Sequence, residues 1–373
     1  MNAVTMSLAL VLMTPLVALA QQAAPVQAAA AQVAKVQHAV VAATPDVAAL
    51  CRAIGGEHVA VTTFLPGPQD PHYLDPRPSM LYAMQKAELL VFLGRELESG
   101  WLPVLIQNSR NPATQPGQIG CMDASGFVRA LGVPTAGIDR SAGDVHMSGN
   151  PHYLLDPLCG LQVAAQLRDR MSALWPGEKA SFAANFTALQ RRLAEAMVGP
   201  ELAKTYEYEA EKLALAYGNG TLLDVLKEQG DLGKLRGWFG TMAPLRGRAV
   251  VVDHDLWPYF AERFGLTVFG FLEPRPGMTP STAHLEQLAE RMRSADVGVL
   301  LVSPYFPTQW AESLQKKVTL RLAPMAHQPG ARDGTDDYVA FVDHNVRTVA
   351  AALRPAEAKA ADGKSGDGPS TPK

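Results

Sequence analysis

Short apolar, β-branched runs alternate with helix-forming segments over most of this 373-residue chain. The run at residues 89–93 is apolar throughout and ends at Gly94, which is typical of a parallel strand covered on both faces. A strand, helix, strand, helix order predicts a parallel sheet with helices on its faces. The alternation therefore predicts an α/β fold.

The same alternation occurs in both halves of the chain. In the first half we expect strands at residues 36–42, 59–64 and 89–93. We expect helices at residues 45–55, 79–88 and 157–174, the second capped by Ser79. In the second half we expect strands at residues 249–252, 267–272, 297–302 and 318–322, and helices at residues 257–264, 281–292 and 338–353. Together with the chain length, this pattern predicts two α/β lobes, each with a parallel sheet flanked by helices.

A long amphipathic helix is expected between the two halves. Residues 179–198 place large apolar side chains on one stripe and end at Gly199 and Pro200. At roughly 1.5 Å per residue such a helix extends about 30 Å, the length of a small domain. We expect a rigid connector at residues 176–199, with the lobes at residues 35–175 and 200–354.

Both ends of the chain differ in composition from this core. The apolar stretch at residues 8–20 is too short to span a bilayer and closes on Ala18-Leu19-Ala20, which predicts a signal peptide at residues 1–20 and export to the periplasm. Residues 21–34 resemble a flexible tether in composition, and residues 355–373 a disordered tail.

Composition narrows the choice of partners. The hydrophobic fraction of 47% can supply a large core, and the net charge of -3 gives no electrostatic footprint for nucleic acid. We therefore expect a soluble partner or a small ligand. We also expect the protein to be a monomer. Three cysteines without CxxC spacing do not suggest a zinc cage, and the pairing of Cys51, Cys121 and Cys159 stays open.

Three histidines follow predicted strands or precede predicted helices. His72 lies in the segment PHYLDP at residues 71–76, which PHYLLDP at residues 151–157, containing His152, nearly repeats. His254 lies between two aspartates at the end of the apolar run at residues 249–252. Ligands of open α/β sheets collect at the carboxyl ends of strands, so these imidazoles predict one shared metal ion.

The motifs around these histidines resemble those of the metal-binding substrate-binding proteins of ABC transporters that import zinc or manganese. They are DPH at residues 70–72, NPH at 150–152 with LDP at 155–157, and DHD at 253–255, and the similarity extends in order from about residue 36 to 353. The resemblance implies two α/β lobes joined by one long helix, with the metal in the cleft between them. It also implies a carrier, not an enzyme, that delivers the ion to an inner-membrane ABC permease.

The resemblance places three ligands at His72, His152 and His254. The fourth position, commonly an aspartate, falls on Ala323, which cannot bind metal. We expect water, Glu273 or His327 in its place, and Glu273 has the alternative of pairing with Arg275.

Imidazole donors favour zinc over manganese, which prefers carboxylate and water oxygens, although a manganese carrier stays an alternative. His146, the only histidine between the first two ligands, is a further candidate, because its loop could fold over the site. Asp75 and Asp156 could each accept the second ring N–H of a ligand, although Asp156 could equally cap a helix. The remaining histidines are expected to be structural or exposed: His38, His58, His284 and His344.

Two further expectations concern function. A zinc hydrolase is the alternative to a carrier, because three histidines and an open water position also form catalytic zinc sites. The sequence contains no HExxH motif, and its three histidines come from distant loops, so we expect a carrier. Residues 201–242 interrupt the family pattern, and we expect a solvated helical hairpin there, with a lid or partner surface as the alternative.

Overall fold

The computed structural model describes residues 37–134, 146–275 and 277–354. The predicted signal peptide, tether and C-terminal tail lie outside these described residues. The boundaries of the lobes and of the connector stay predictions.

The first half contains a four-stranded parallel sheet with the strand order β2-β1-β3-β4. Its strands are β1 His38–Ala42, β2 Val59–Thr63, β3 Leu89–Phe92 and β4 Cys121–Asp123. Its helices are α1 Pro45–Gly55, α2 Pro78–Lys86, α3 Leu102–Ser109 and α4 Pro157–Leu174. The predicted parallel sheet is confirmed, although β4 and α3 were not predicted.

A 20-residue helix, α5 Lys179–Val198, follows as expected. Its buried side chains include Phe182, Leu189, Leu193 and Met197, which form the predicted stripe. They pack into a core that also holds residues of both sheets, such as Val40 and Val250. The two halves therefore share one continuous apolar core through α5.

The second half repeats the topology with the strand order β6-β5-β7-β8, again parallel. Its strands are β5 Ala249–Val252, β6 Thr267–Phe271, β7 Val299–Val302 and β8 Arg321–Pro324. Its helices are α6 Pro200–Thr205, α7 Ala210–Gly218, α8 Thr221–Glu228, α9 Gly237–Met242, α10 Pro258–Phe264, α11 Thr282–Ser294, α12 Thr308–Gln315 and α13 Tyr338–Leu353. The α/β class with two parallel sheets is confirmed.

Several element boundaries differ from the prediction, and two of the differences have a local cause. Helix α2 begins at Pro78 after Arg77, so Ser79 lies inside the first turn and does not cap it. The last strand lies at residues 321–324, not 318–322, because its pairing with β7 sets Arg321 opposite Val299. Val318 instead donates its amide to the carbonyl of Leu314, closing the end of α12.

The expectation of a solvated hairpin at residues 201–242 is wrong. The segment forms α6 to α9, and its large side chains join the main core. Tyr217 and Phe239, for example, stack with ring centroids 3.9 Å apart, and neither is exposed. The apolar residues of this segment pack in the same core as those of α5. Local sequence does not reveal this packing partner.

Among the described residues, no helix is both long and apolar enough to cross a membrane.

Candidate metal centre

The structure brings the three predicted histidines together. His72 lies on the loop that follows β2, His152 just before α4, and His254 just after β5. The ring centroid of His72 lies 5.4 Å from that of His152 and 5.8 Å from that of His254. The rings of His152 and His254 are 6.3 Å apart. Loops from both sheets thus meet at one point, as expected at the carboxyl ends of strands.

The near-repeat in the sequence has a local cause. The side-chain oxygen of Asp70 accepts a hydrogen bond from the backbone amide of His72 at 3.0 Å, and that of Asn150 accepts one from His152 at the same distance. Both are turns in which a short polar side chain bonds the backbone two residues on. The two Asx-Pro-His segments therefore present their histidines by the same turn.

A fourth histidine, His146, joins the cluster. One ligand atom from each of His72, His146 and His152 lies within 4.8 Å of the others. The Nε2 atoms of His72 and His146 are 3.3 Å apart. Tetrahedral zinc with Zn–N bonds of about 2.0–2.1 Å separates its nitrogens by about 3.3 Å, so this pair already has the required spacing. The sequence predicted His146 only as a further candidate ligand. Its place in the chain between His72 and His152 was the feature that indicated it.

Carboxylates fix the rings of two histidines. The Nδ1 atom of His72 lies 2.7 Å from Asp70, and that of His254 lies 2.6 Å from Glu273. Because a carboxylate accepts, each Nδ1 carries the proton and each Nε2 keeps its lone pair for a metal. Burial alone would raise the pKa of Asp70, but the hydrogen bonds from His72 help to hold that pKa below its usual value.

His152 is held differently. It is only 7% exposed, and its Nε2 atom is buried without a hydrogen-bond partner among the described residues. Burial, reinforced by the neighbouring histidines, lowers its pKa well below the usual 6.5. An unpaired imidazole nitrogen that stays neutral is a donor suited to a metal ion.

The candidates for the fourth position have other contacts. Glu273 directs one oxygen to His254 and accepts the amide of Gly277 at 3.1 Å with the same atom. His327 donates from Nε2 to the carbonyl of Gln69 at 3.1 Å, and its buried Nδ1 has no partner among the described residues. Burial lowers the pKa of His327 to about 4. Metal binding by Glu273 stays a prediction, and Ala323 is fully buried.

The prediction that Asp75 and Asp156 accept hydrogen bonds from the histidine rings is wrong. Asp75 is exposed, and Asp70 takes its place on His72. Asp156 caps α4 through the amide of Leu158 at 2.8 Å and pairs with Arg263 through both oxygens. The capping alternative for Asp156 is therefore confirmed.

The other histidines and the cysteines take no part in the cluster. His38 bonds Glu88 and stacks on Trp175, while His284 and His344 bond the backbone carbonyls of Phe271 and Pro324. All three cysteines are free thiols.

Two similar parallel sheets, with imidazoles from both converging between them, define a substrate-binding protein that receives a metal ion. The sequence model of one family, described as zinc-uptake complex component A, periplasmic, matches residues 40–205 and 229–352. The chain therefore belongs to this family, the ZnuA proteins.

Known proteins of similar sequence and structure agree with this assignment. A high-affinity zinc uptake system protein ZnuA from Yersinia pestis is 22% identical over 82% of this chain and 87% of its own length. The zinc-binding lipoprotein AdcA of Streptococcus pneumoniae is 19% identical over 79% of this chain and 52% of its own. A crystal structure of ZnuA superposes with a TM-score of 0.62 at 21% identity, covering 86% of this chain and all of the other.

Proposed function

We propose that this protein captures a zinc ion in the periplasm and delivers it to an ABC-type import permease. The observation that carries the proposal is the imidazole cluster, with two Nε2 atoms already 3.3 Å apart. The family and its zinc-uptake relatives support the same activity and imply the permease as partner. We expect the carrier to act as a monomer, since a single chain supplies all the donors.

Four imidazoles form the proposed site. His72, His152 and His254 are the predicted ligands, and His146 supplies the fourth nitrogen in the place that the sequence left open. Asp70 and Glu273 hold two of these rings in the metal-binding tautomer. In this assignment Glu273 acts on His254, not on the metal directly.

The donor set supports zinc in preference to manganese. Imidazole nitrogens suit zinc, whereas manganese prefers carboxylate, carbonyl and water oxygens. An all-nitrogen, tetrahedral site would bind manganese poorly, because it lacks both the oxygens and the coordination number that manganese favours.

The same donor set supports a carrier in preference to a hydrolase. A catalytic zinc site keeps one position for water and needs a base beside it. Here a fourth imidazole, that of His146, lies close to those of His72 and His152, and the carboxylates of Asp70 and Glu273 accept hydrogen bonds from ring nitrogens. Release of a nanomolar ion would cost about 12 kcal/mol, so delivery requires docking on the permease to separate the ligands.

Alanine substitutions test this site. We expect His72→Ala, His152→Ala and His254→Ala each to lower zinc affinity by more than about a hundredfold, because each removes an imidazole donor. His146→Ala should lower it less, by about 10–100-fold, since water can take the fourth position. Competitive titration of the mature chain with a zinc chelator measures these losses.

His284→Ala is the matched control, because its ring bonds only a backbone carbonyl on the described part of the chain. Equal, small losses in all five variants, or no stoichiometric zinc in the unchanged protein, would contradict the proposed function.

A further inference from the structure

A segment of the second half forms hydrogen bonds with the loop that carries His72. We call residues 325–330, which follow β8, the strap, and residues 66–72 the His72 loop. Gln328 in the strap donates both hydrogens of its side-chain amide across the cleft, to the carbonyls of Gly67 at 2.9 Å and Gln69 at 3.0 Å. His327 donates to the same carbonyl of Gln69 at 3.1 Å.

These contacts are shielded from water. Gln328 is 2% exposed and His327 is 5% exposed. A buried amide donor that loses its acceptor is left unsatisfied, so these hydrogen bonds are unfavourable to break unless another partner replaces them. The two backbones also touch, because a Cβ atom on Gly67 would overlap the carbonyl group of Gly330.

The strap is itself rigidly held. Asn345 of α13 accepts the amide of Ala326 and donates to its carbonyl, both at 2.8 Å. Arg332 donates to the carbonyl of Met325 at 3.1 Å. The strap is therefore a fixed support, and the His72 loop is the partner whose position it sets.

These hydrogen bonds lie next to His72, the proposed metal ligand. Gln69 precedes Asp70, which holds both the backbone amide and the ring of His72. From the other side, the indole of Trp101 donates to the carbonyl of Pro71 at 3.1 Å. The backbone on both sides of Asp70 is thus fixed, by Gln328 from the second half and by Trp101 from the first.

We propose that Gln328 is a positioning residue for His72, and that its hydrogen bonds to the His72 loop determine the rate at which zinc dissociates. This inference rests on the proposed zinc-binding function. Opening the cleft must break the bonds to Gly67 and Gln69 before His72 can leave the metal. The strap would then govern the dissociation rate without touching the ion.

Two substitutions of Gln328 test whether its hydrogen bonds control zinc dissociation. Gln328→Met keeps a similar length but removes both donors, and Gln328→Glu keeps the shape but directs a carboxylate at two carbonyl oxygens. We expect the zinc dissociation rate to rise about tenfold in the Met variant and more in the Glu variant, with one zinc still bound per chain. Stopped-flow transfer of zinc from the full mature chain to a chelator measures this rate.

The visible spectrum of bound cobalt(II) provides a readout that general destabilisation does not move. A displaced His72 changes the ligand geometry, so the d–d bands of both variants should shift. The control is Gln315→Met, because Gln315 lies at the end of α12 and donates to Leu320 away from the site. If Gln328→Met folds poorly, Gln328→Asn, which keeps the amide but is too short to reach both carbonyls, replaces it.

Wild-type dissociation rates and spectra in the Gln328 variants would overturn the inference. Faster release with an unchanged cobalt spectrum would also overturn it, because Gln328 would then act on stability and not on His72. In either case zinc binding by the unchanged protein would leave the proposed function intact. Failure of the unchanged protein to bind zinc would overturn both.

Discussion

The two ring nitrogens of His72 have different tasks. Nδ1 is committed to Asp70 at 2.7 Å, and Nε2 faces His146 at 3.3 Å. Glu273 commits the Nδ1 atom of His254 in the same way. A ring held in the correct tautomer and orientation loses little freedom on binding, so these carboxylates contribute to affinity without touching the metal.

The carboxylate on His72 can be tested by an isosteric change. We expect Asp70→Asn to lower zinc affinity by about 10–100-fold, because a neutral amide oxygen makes the ring a weaker donor to the metal. Isothermal titration in a competing chelator measures the change.

Asp75→Asn is the matched control for this change, since Asp75 follows His72 closely in the sequence and its side chain is exposed. If Asp70→Asn binds zinc as tightly as Asp75→Asn does, the carboxylate has no role in the site.

At the scale of elements, the helices of residues 201–242 are tied to the metal site. The family match omits residues 206–228, which contain α7 and α8. The carbonyl of Ala214 in α7 accepts from Arg263, whose guanidinium also pairs with Asp156 at 2.8 and 2.9 Å. Asp156 caps α4 shortly after His152. Helix α7 therefore supports an ion pair that joins the two halves beside the site.

A small change in α7 should disturb this ion pair. A Cβ atom at Gly218, the last residue of α7, would lie 2.6 Å from the guanidinium of Arg263. We expect Gly218→Ala to destabilise the protein by about 1–3 kcal/mol, because a pinned, buried side chain cannot move aside freely. Urea unfolding followed by circular dichroism measures the loss.

Gly233→Ala provides the comparison, because a Cβ atom there would meet no described heavy atom within 4 Å. An equal effect of both substitutions would show that backbone entropy, and not contact with Arg263, determines the result.

At the scale of the whole molecule, stability includes the cost of burying a carboxyl group. Glu98 is 3% exposed and accepts the amides of Leu93 and Gly94 at 2.7 and 3.1 Å, which fixes the turn after β3. Burial raises its pKa from 4.5 to about 8, although both hydrogen bonds act in the opposite direction. The folded protein therefore keeps a proton that the unfolded chain releases.

The sign of the resulting pH dependence follows from linkage. The contribution of Glu98 to stability is fully present below about pH 4.5 and is lost as pH rises through about 8, because the folded state binds the proton more tightly. We expect Glu98→Gln to gain on the order of 2–4 kcal/mol relative to the unchanged protein between pH 5 and pH 9. Urea unfolding across this range measures the slope.

A pH-independent offset between Glu98→Gln and the unchanged protein would be a separate effect of the lost hydrogen bond. Parallel pH profiles would contradict the prediction. Glu211→Gln, at an exposed position of α7, should leave the profile unchanged.

The sequence by itself determined the α/β class, the long helix α5 and the three predicted histidines that the structure brings together. These features depend on local periodicity and on short motifs, such as the Asx-Pro-His turns, whose physics lies within a few residues. Only the tertiary structure decided that His146 approaches His72, that Asp70 and not Asp75 holds its ring, and that residues 201–242 join the core. It alone revealed the contact between Gln328 and Gln69, 259 positions apart. Such contacts depend on how the two halves pack together, and no local pattern in the chain encodes that packing.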